Sequence, residues 1–177
     1  MHKMILAGYG GQGMLLCGQV LAYAAMKDGY NVTWLPSYGP EMRGGAAACS
    51  VVVSKKPVGS PVVQSASLVV AMSQPAFDKY HTSVADGGYL LYHSALITIP
   101  EKRDGVNYVG IDFSHLSAEL GNPKTASMIV LGSLNEILQC VSTPALHTAL
   151  EYKFGAKKAG LVELNQKAIA AGIEAVQ

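Results

Sequence analysis

A chain of 177 residues with a net charge of +1 is long enough to bury a core without disulfides or metal staples, and it has no basic stripe to neutralise nucleic-acid phosphates. Half of its residues are apolar and 14% are charged, against about 25% charged in an average soluble domain, so polar residues barely cover a free monomer and the composition points to protein partners. Cys17, Cys49 and Cys140 are too few for an iron–sulfur cluster and sit in apolar runs, as reduced thiols of a cytoplasmic protein do, and the histidines show no metal-binding spacing.

Met4–Ala7 reads as a short apolar strand, GYGGQG at 8–13 turns the chain, and 14–27 reads as a helix that is apolar nearly all round and stops at Asp28-Gly29. The glycines cut the apolar stretch into pieces shorter than the roughly 20 residues of a membrane span, so neither an export signal nor a membrane anchor is expected. Residues 30–35 (YNVTWL) alternate as a second strand. The segment 36–45 (PSYGPEMRGG) has no regular period, which marks a functional loop or an interface. Residues 46–54 form a third strand, expected to continue through a turn at 55–59 into an antiparallel hairpin with 61–63. Next come a buried strand at 67–72, a helix opened by Pro75 and running to about Val84, a turn at Asp86-Gly87-Gly88, strands at 89–93 and 107–111, and a short helix at 114–120. Asn122-Pro123 caps a helix with two apolar sides: Ile129, Val130, Leu134 and Ile137 lie on one, Met128 and Leu131 off it. Such helices are buried between layers or at subunit contacts. Helices near 145–154 and 161–176 end the chain. The alternation predicts one α/β domain over 1–177, three-layered, with an open, mostly parallel sheet and a Rossmann-like first βαβ unit.

Gly8, Gly10 and Gly13 satisfy the GxGxxG spacing between a strand and a helix, where a helix N-terminus offers free N–H groups to an anion. With Gly11 and Gln12 they form the candidate cofactor-binding loop. The second strand ends Trp34-Leu35-Pro36-Ser37 without the carboxylate that would hold an NAD ribose, and Met14-Leu15 stands where a Walker loop needs Lys-Ser/Thr. Two readings stay open: the glycines serve close helix–sheet packing and the fit of another chain, or they contact a phosphate. Arg43, in YGPEMRGG, either faces an anionic ligand or partner carboxylate, or pins its own loop through Glu41 or the backbone. No serine sits in a nucleophile elbow, Tyr38 and His93 read as packing residues, and no catalytic or metal-ligating residue is assigned.

ILAGYGGQGMLLCGQVLAYAA, SYGPEMRGGAAACSVVVS, SLVVAMS and GNPKTASMIVLGSL, in that order, resemble the gamma subunit of 2-oxoacid:ferredoxin oxidoreductases over essentially the whole chain. The resemblance implies a complex that decarboxylates a 2-oxoacid such as pyruvate on thiamine diphosphate. It passes electrons through 4Fe-4S clusters to ferredoxin and transfers the acyl group to coenzyme A. It further implies that thiamine diphosphate and Mg²⁺ lie between alpha and beta subunits, that the clusters lie on beta and a delta subunit, and that this chain alone binds none of them. Coenzyme A passes near the equivalent domain in fused relatives, which makes it a candidate anion for the glycine loop or Arg43. A stand-alone nucleotide-binding oxidoreductase and a ligand-free assembly domain are the competing readings.

Overall fold

The computed structural model describes residues 1–37, 46–155 and 159–177. In chain order these form β1 (His2–Tyr9), α1 (Met14–Lys27), β2 (Asn31–Ser37), β3 (Ala46–Ser54), β4 (Ala66–Ala71), α2 (Gln74–Tyr80), β5 (Val84–His93), β6 (Asn107–Ile111), α3 (Phe113–Glu119), α4 (Ala126–Leu138), α5 (Thr143–Phe154) and α6 (Ala159–Glu174). The strands make one sheet in the order β2-β3-β1-β4-β5-β6. β1, β4, β5 and β6 pair in parallel, whereas β3 runs antiparallel to both β1 and β2, so only β3 points against the rest.

The mostly parallel α/β sheet is therefore as expected, with one change in its first unit. β1-α1-β2 is a crossover between strands of the same direction, but β3 lies between them, and the antiparallel hairpin is β2–β3 rather than 46–63. The reason is hydrogen-bonding capacity: β3 gives one edge to β1 and the other to β2, leaving none for 61–63, which is not a strand. The turn expected at Asp86-Gly87-Gly88 is also absorbed into β5. Gly87 takes φ 77° there, and the β4–β5 register slips between Ala66 and Leu68, so the glycine signal marks an irregularity within a strand. The helix opened by Pro75 ends at Tyr80 and tightens into a 3-10 turn over His81–Ser83.

Both faces of the sheet are covered, which is why its central strands read as unbroken apolar runs. In β1, Met4 and Leu6 enter the larger core with α1, α3 and α4, while Ile5 enters the smaller one with Phe77 of α2. α5 packs on α1, and α6 packs on α4. The two apolar sides of α4 are thus explained by layers: every residue from Ser127 to Asn135 is buried. The α4–α6 crossing is close because Gly132 faces the Ile169 carbonyl and Gly172 the Ile129 carbonyl, with Ser133 Oγ donating to the Gly172 carbonyl at 2.8 Å. Asp28, just past α1, accepts from the Ser142 N–H at 2.6 Å and hydroxyl at 2.8 Å, while Ser142 Oγ caps α5 by accepting from the Ala145 N–H. No helix among the described residues is long and apolar enough to cross a membrane.

Candidate functional site

The connection from β1 through α1 leads to one side of the sheet, and that from β4 through α2 leads to the other, with α1 and α2 on opposite faces. The carboxyl ends of β1 and β4 therefore flank a topological switch point, where open α/β sheets leave a crevice. The glycine loop lies there. The Met72 N–H, just past β4, donates to the Ala7 carbonyl at 2.9 Å and holds the two strand ends together.

Within the loop, each residue has a separate physical task. Gly8 leaves room for the Gln12 side chain, since a Cβ on it would lie 2.5 Å from Gln12 Oε1. That oxygen accepts from the Tyr9 N–H at 2.6 Å, and Gln12 Nε2 donates to the Met72 carbonyl at 3.0 Å, so the Gln12 amide ties the loop to both β1 and β4. Gly11 takes φ 95° with open space around it. Gly13 takes φ 78° as the N-cap of α1, and a Cβ there would meet Ser127 Oγ at 2.8 Å. Among the described residues no side chain caps α1, so its first-turn N–H groups face the crevice. The α4 end differs: a 3-10 turn, Pro123–Thr125, precedes it, and Asn122 Oδ1 accepts from the Lys124 N–H at 3.0 Å.

The crevice opens into a cavity of about 530 Å³, whose lining includes Gly11, Gln12, Gly13, His93, Ser114 and Lys124. His93 is the last residue of β5 and is 2% exposed. Its Nε2 lies 2.7 Å from Ser114 Oγ, its ring meets Phe113 edge-on at 5.8 Å, and its Nδ1 is fully buried without a hydrogen-bond partner among the described residues. Burial lowers its pKa below the ordinary 6.5, against an opposing pull from Asp112. The structure thus brings the predicted glycine loop together with a histidine that the sequence reading took for packing. The signal that would have found it is position: His93 stands at the carboxyl end of a parallel strand, where ligand groups gather. Gly8 and Gly10 also belong to this loop, and Arg43 lies outside the described residues.

The cysteines do not fit an iron–sulfur cluster. All three are buried, they are fewer than the four thiolates a cluster normally takes, and among the described residues no three Cys, His, Asp or Glu side chains come together as a metal site.

The lowered His93 pKa has a consequence for stability. The unfolded chain takes up a proton near pH 6.5 that the folded chain refuses, so the stability is complete above that pH and is lost as pH falls toward the folded value. His2, lowered by burial and by the N-terminal charge, acts with the same sign. Melting temperatures measured from about pH 8 down to about pH 5 are expected to fall on the acid side, and to fall less in His93→Gln. Equal slopes in the two proteins would remove His93 from this account.

A sequence profile described as pyruvate ferredoxin/flavodoxin oxidoreductase matches residues 3–175. Ketoisovalerate oxidoreductase subunit VorA of Methanothermobacter thermautotrophicus is 35% identical over 97% of the chain, which spans only 36% of that relative's length. The 2-oxoglutarate synthase subunit KorC of Methanocaldococcus jannaschii is 35% identical over 85% of the chain and 82% of its own length. The crystal structure of a keto/oxoacid ferredoxin oxidoreductase gamma subunit from Geobacter sulfurreducens superposes with a TM-score of 0.85 at 29% identity, covering 99% of this chain and 98% of that one.

Proposed function

This chain belongs to the pyruvate ferredoxin/flavodoxin oxidoreductase family, and on that premise we propose that it is the gamma subunit of a 2-oxoacid:ferredoxin oxidoreductase complex. The complex oxidatively decarboxylates a 2-oxoacid to an acyl-coenzyme A and passes the electrons to ferredoxin. The observation that carries this reading is the near end-to-end likeness, in sequence and fold, to a free-standing gamma subunit. Residues 1–177 act as one domain, in the cytoplasm, with alpha, beta and delta subunits as partners. Thiamine diphosphate, Mg²⁺ and the 4Fe-4S clusters belong to those partners, in keeping with the three cysteines here, which are too few for a cluster and are not gathered with other metal-binding side chains among the described residues. The choice among pyruvate, 2-oxoglutarate and ketoisovalerate belongs to the subunits that hold thiamine.

The part we assign to this chain is binding and positioning. Gly10, Gly11 and Gly13 present backbone N–H groups at the uncapped N-terminus of α1, a favourable place for a phosphate of coenzyme A. Gly8 and Gln12 hold the loop in shape, and Lys124 adds a positive charge to the cavity lining. Arg43 joins them as a further anion contact in this reading. These groups bind and orient, and no proton or electron passes through them.

Expression of the chain alone and with its alpha, beta and delta partners tests the proposal. With a 2-oxoacid, coenzyme A and a viologen dye, the isolated chain is expected to leave the dye oxidised and the assembled complex to reduce it. Dye reduction by the chain alone would overturn the non-catalytic role. Failure of alpha and beta chains to copurify with it from the native source would overturn the assignment as a subunit.

A further inference from the structure

The glycine loop meets the N-terminal end of α1, and a second feature lies near the other end of the same helix, where α5 packs on it. Tyr23 of α1 and Tyr152 of α5 stack in parallel, with ring centroids 4.2 Å apart and planes 7° from each other. Tyr152 is nonetheless 70% exposed, and Met26, nearly one turn on from Tyr23, is 61% exposed. Apart from Met1 they are the most exposed large apolar side chains among the described residues. Beside the rings lies a hollow of about 250 Å³ lined by Gln19, Val20, Tyr23, Ala149, Tyr152 and Lys153. Lys27 Nζ stands 5.1 Å from the Tyr23 ring centre, and Lys153 Nζ donates to Gln19 Oε1 at 2.7 Å. We propose that this flank is where another subunit of the complex docks, presenting an apolar side chain to the hollow and carboxylates to Lys27 and Lys153. The inference rests on the reading of the chain as a subunit, and it adds where the contact lies and the charge of the surface that makes it.

A small-molecule site normally encloses about 300–1,000 Å³, and this hollow is smaller, so it suits one side chain rather than a whole ligand. The stack fixes the Tyr152 ring before any partner arrives, so docking costs little side-chain freedom, and tyrosines are frequent anchors of interfaces. The charge is one-sided. The lining of the hollow includes a lysine and no carboxylate, and neither Lys27 nor Lys153 belongs to an ion pair among the described residues. The carboxylates next to them in sequence are engaged elsewhere: Asp28 accepts from Ser142, and Glu151 lines a separate hollow with Val162 and Glu163 of α6. Two cations around an exposed aromatic pair are complementary to an acidic rim around an apolar centre. With about 1.5 Å of rise per residue, Tyr23 stands roughly 15 Å along α1 from Gly13, so this surface is separate from the crevice.

The assembled alpha, beta and delta subunits, immobilised and titrated with the full chain, provide the test. The parent chain is expected to bind with an affinity that falls as salt rises. Tyr152→Ala is expected to lose about tenfold or more in affinity, mainly through faster dissociation. Lys27→Glu combined with Lys153→Glu is expected to lose about as much through slower association, and to lose the salt dependence with it. Lys27→Arg with Lys153→Arg keeps both charges and should bind as the parent does. Both lysines are exposed, so their variants carry the test if Tyr152→Ala does not fold. Leu96→Ala, at a 50% exposed residue beyond β5, sets the background. Unchanged affinity in the Tyr152 and lysine-to-glutamate variants, or a loss in Leu96→Ala as large as theirs, would overturn the proposal while leaving the chain a subunit. A parent chain that self-associates, and becomes monomeric in Tyr152→Ala with its binding to the other subunits intact, would assign the surface to a second copy and overturn it too. If the parent chain does not bind the other subunits at all, the subunit reading fails first and this inference falls with it.

Discussion

Gly172→Ala is expected to lower the stability of the folded chain by about 3 kcal/mol or more, and Gly132→Ala by a similar amount. At the α4–α6 crossing, a Cβ on Gly172 would fall far inside the Ile129 carbonyl oxygen, and one on Gly132 inside the Ile169 carbonyl oxygen. Both obstacles are backbone, so no rotamer change relieves them and the helices must part. Parting also stretches the bond from Ser133 Oγ to the Gly172 carbonyl and opens gaps beside Ile129 and Ile169, which are 0% and 1% exposed. Gly160 supplies the control: it lies in α6 with open space around it, and Gly160→Ala is expected to be neutral or to gain up to about 1 kcal/mol from helix propensity. Urea midpoints decide between them. A Gly172→Ala midpoint no lower than that of the Gly160 variant would refute the close crossing.

The second large effect is expected at Gly13. Gly13→Ala places a Cβ on a residue at φ 78°, a conformation costing roughly 1–2 kcal/mol for an L side chain, and presses it to 2.9 Å from Ser127 Cβ, which adds about 1–3 kcal/mol of overpacking. Gly11→Ala is the matched comparison, because φ 95° there carries the conformational cost with nothing within reach of the new atom. The difference between the two variants isolates the packing of the α1 N-terminus against the start of α4. The same displacement re-aims the first-turn N–H groups, so pyrophosphate affinity should fall at least tenfold in Gly13→Ala. Equal urea midpoints for the two variants would show that Ser127 does not bear on the loop.

What was legible in the sequence is what local chemistry determines. The limits of α1 follow from Gly13 and Asp28-Gly29, and those of β3 and β6 from short apolar runs bounded by turn residues. The insertion of β3 between β1 and β2 was not legible, because strand partners are chosen by edges and faces that exist only once the chain is folded. The same division holds at the site. The glycine spacing announced the loop, whereas the use of Gln12 as a tie to the Met72 carbonyl depends on β4 lying beside β1. His93 escaped for a related reason: alone in sequence it resembles a core residue, and only the arrival of Ser114 on α3 beside its Nε2 and the place of the residue on the crevice wall set it apart from one.

The position of β1 also shapes how the chain is made. Its partners are β3 and β4, both later in the chain, so β1 finds its edges only after residues 46–71 have followed. At roughly 5–20 residues per second, Met4–Ala7 spends several seconds as an apolar segment with unsatisfied edges, open to association with other nascent chains. β2 and β3, by contrast, need only the short segment between them to pair. From these pairings the hairpin at 31–54 is expected to form before β1 docks along the free edge of β3 and β4 closes its other side, an interval in which the apolar segment of β1 is exposed to any chaperone that binds extended chains.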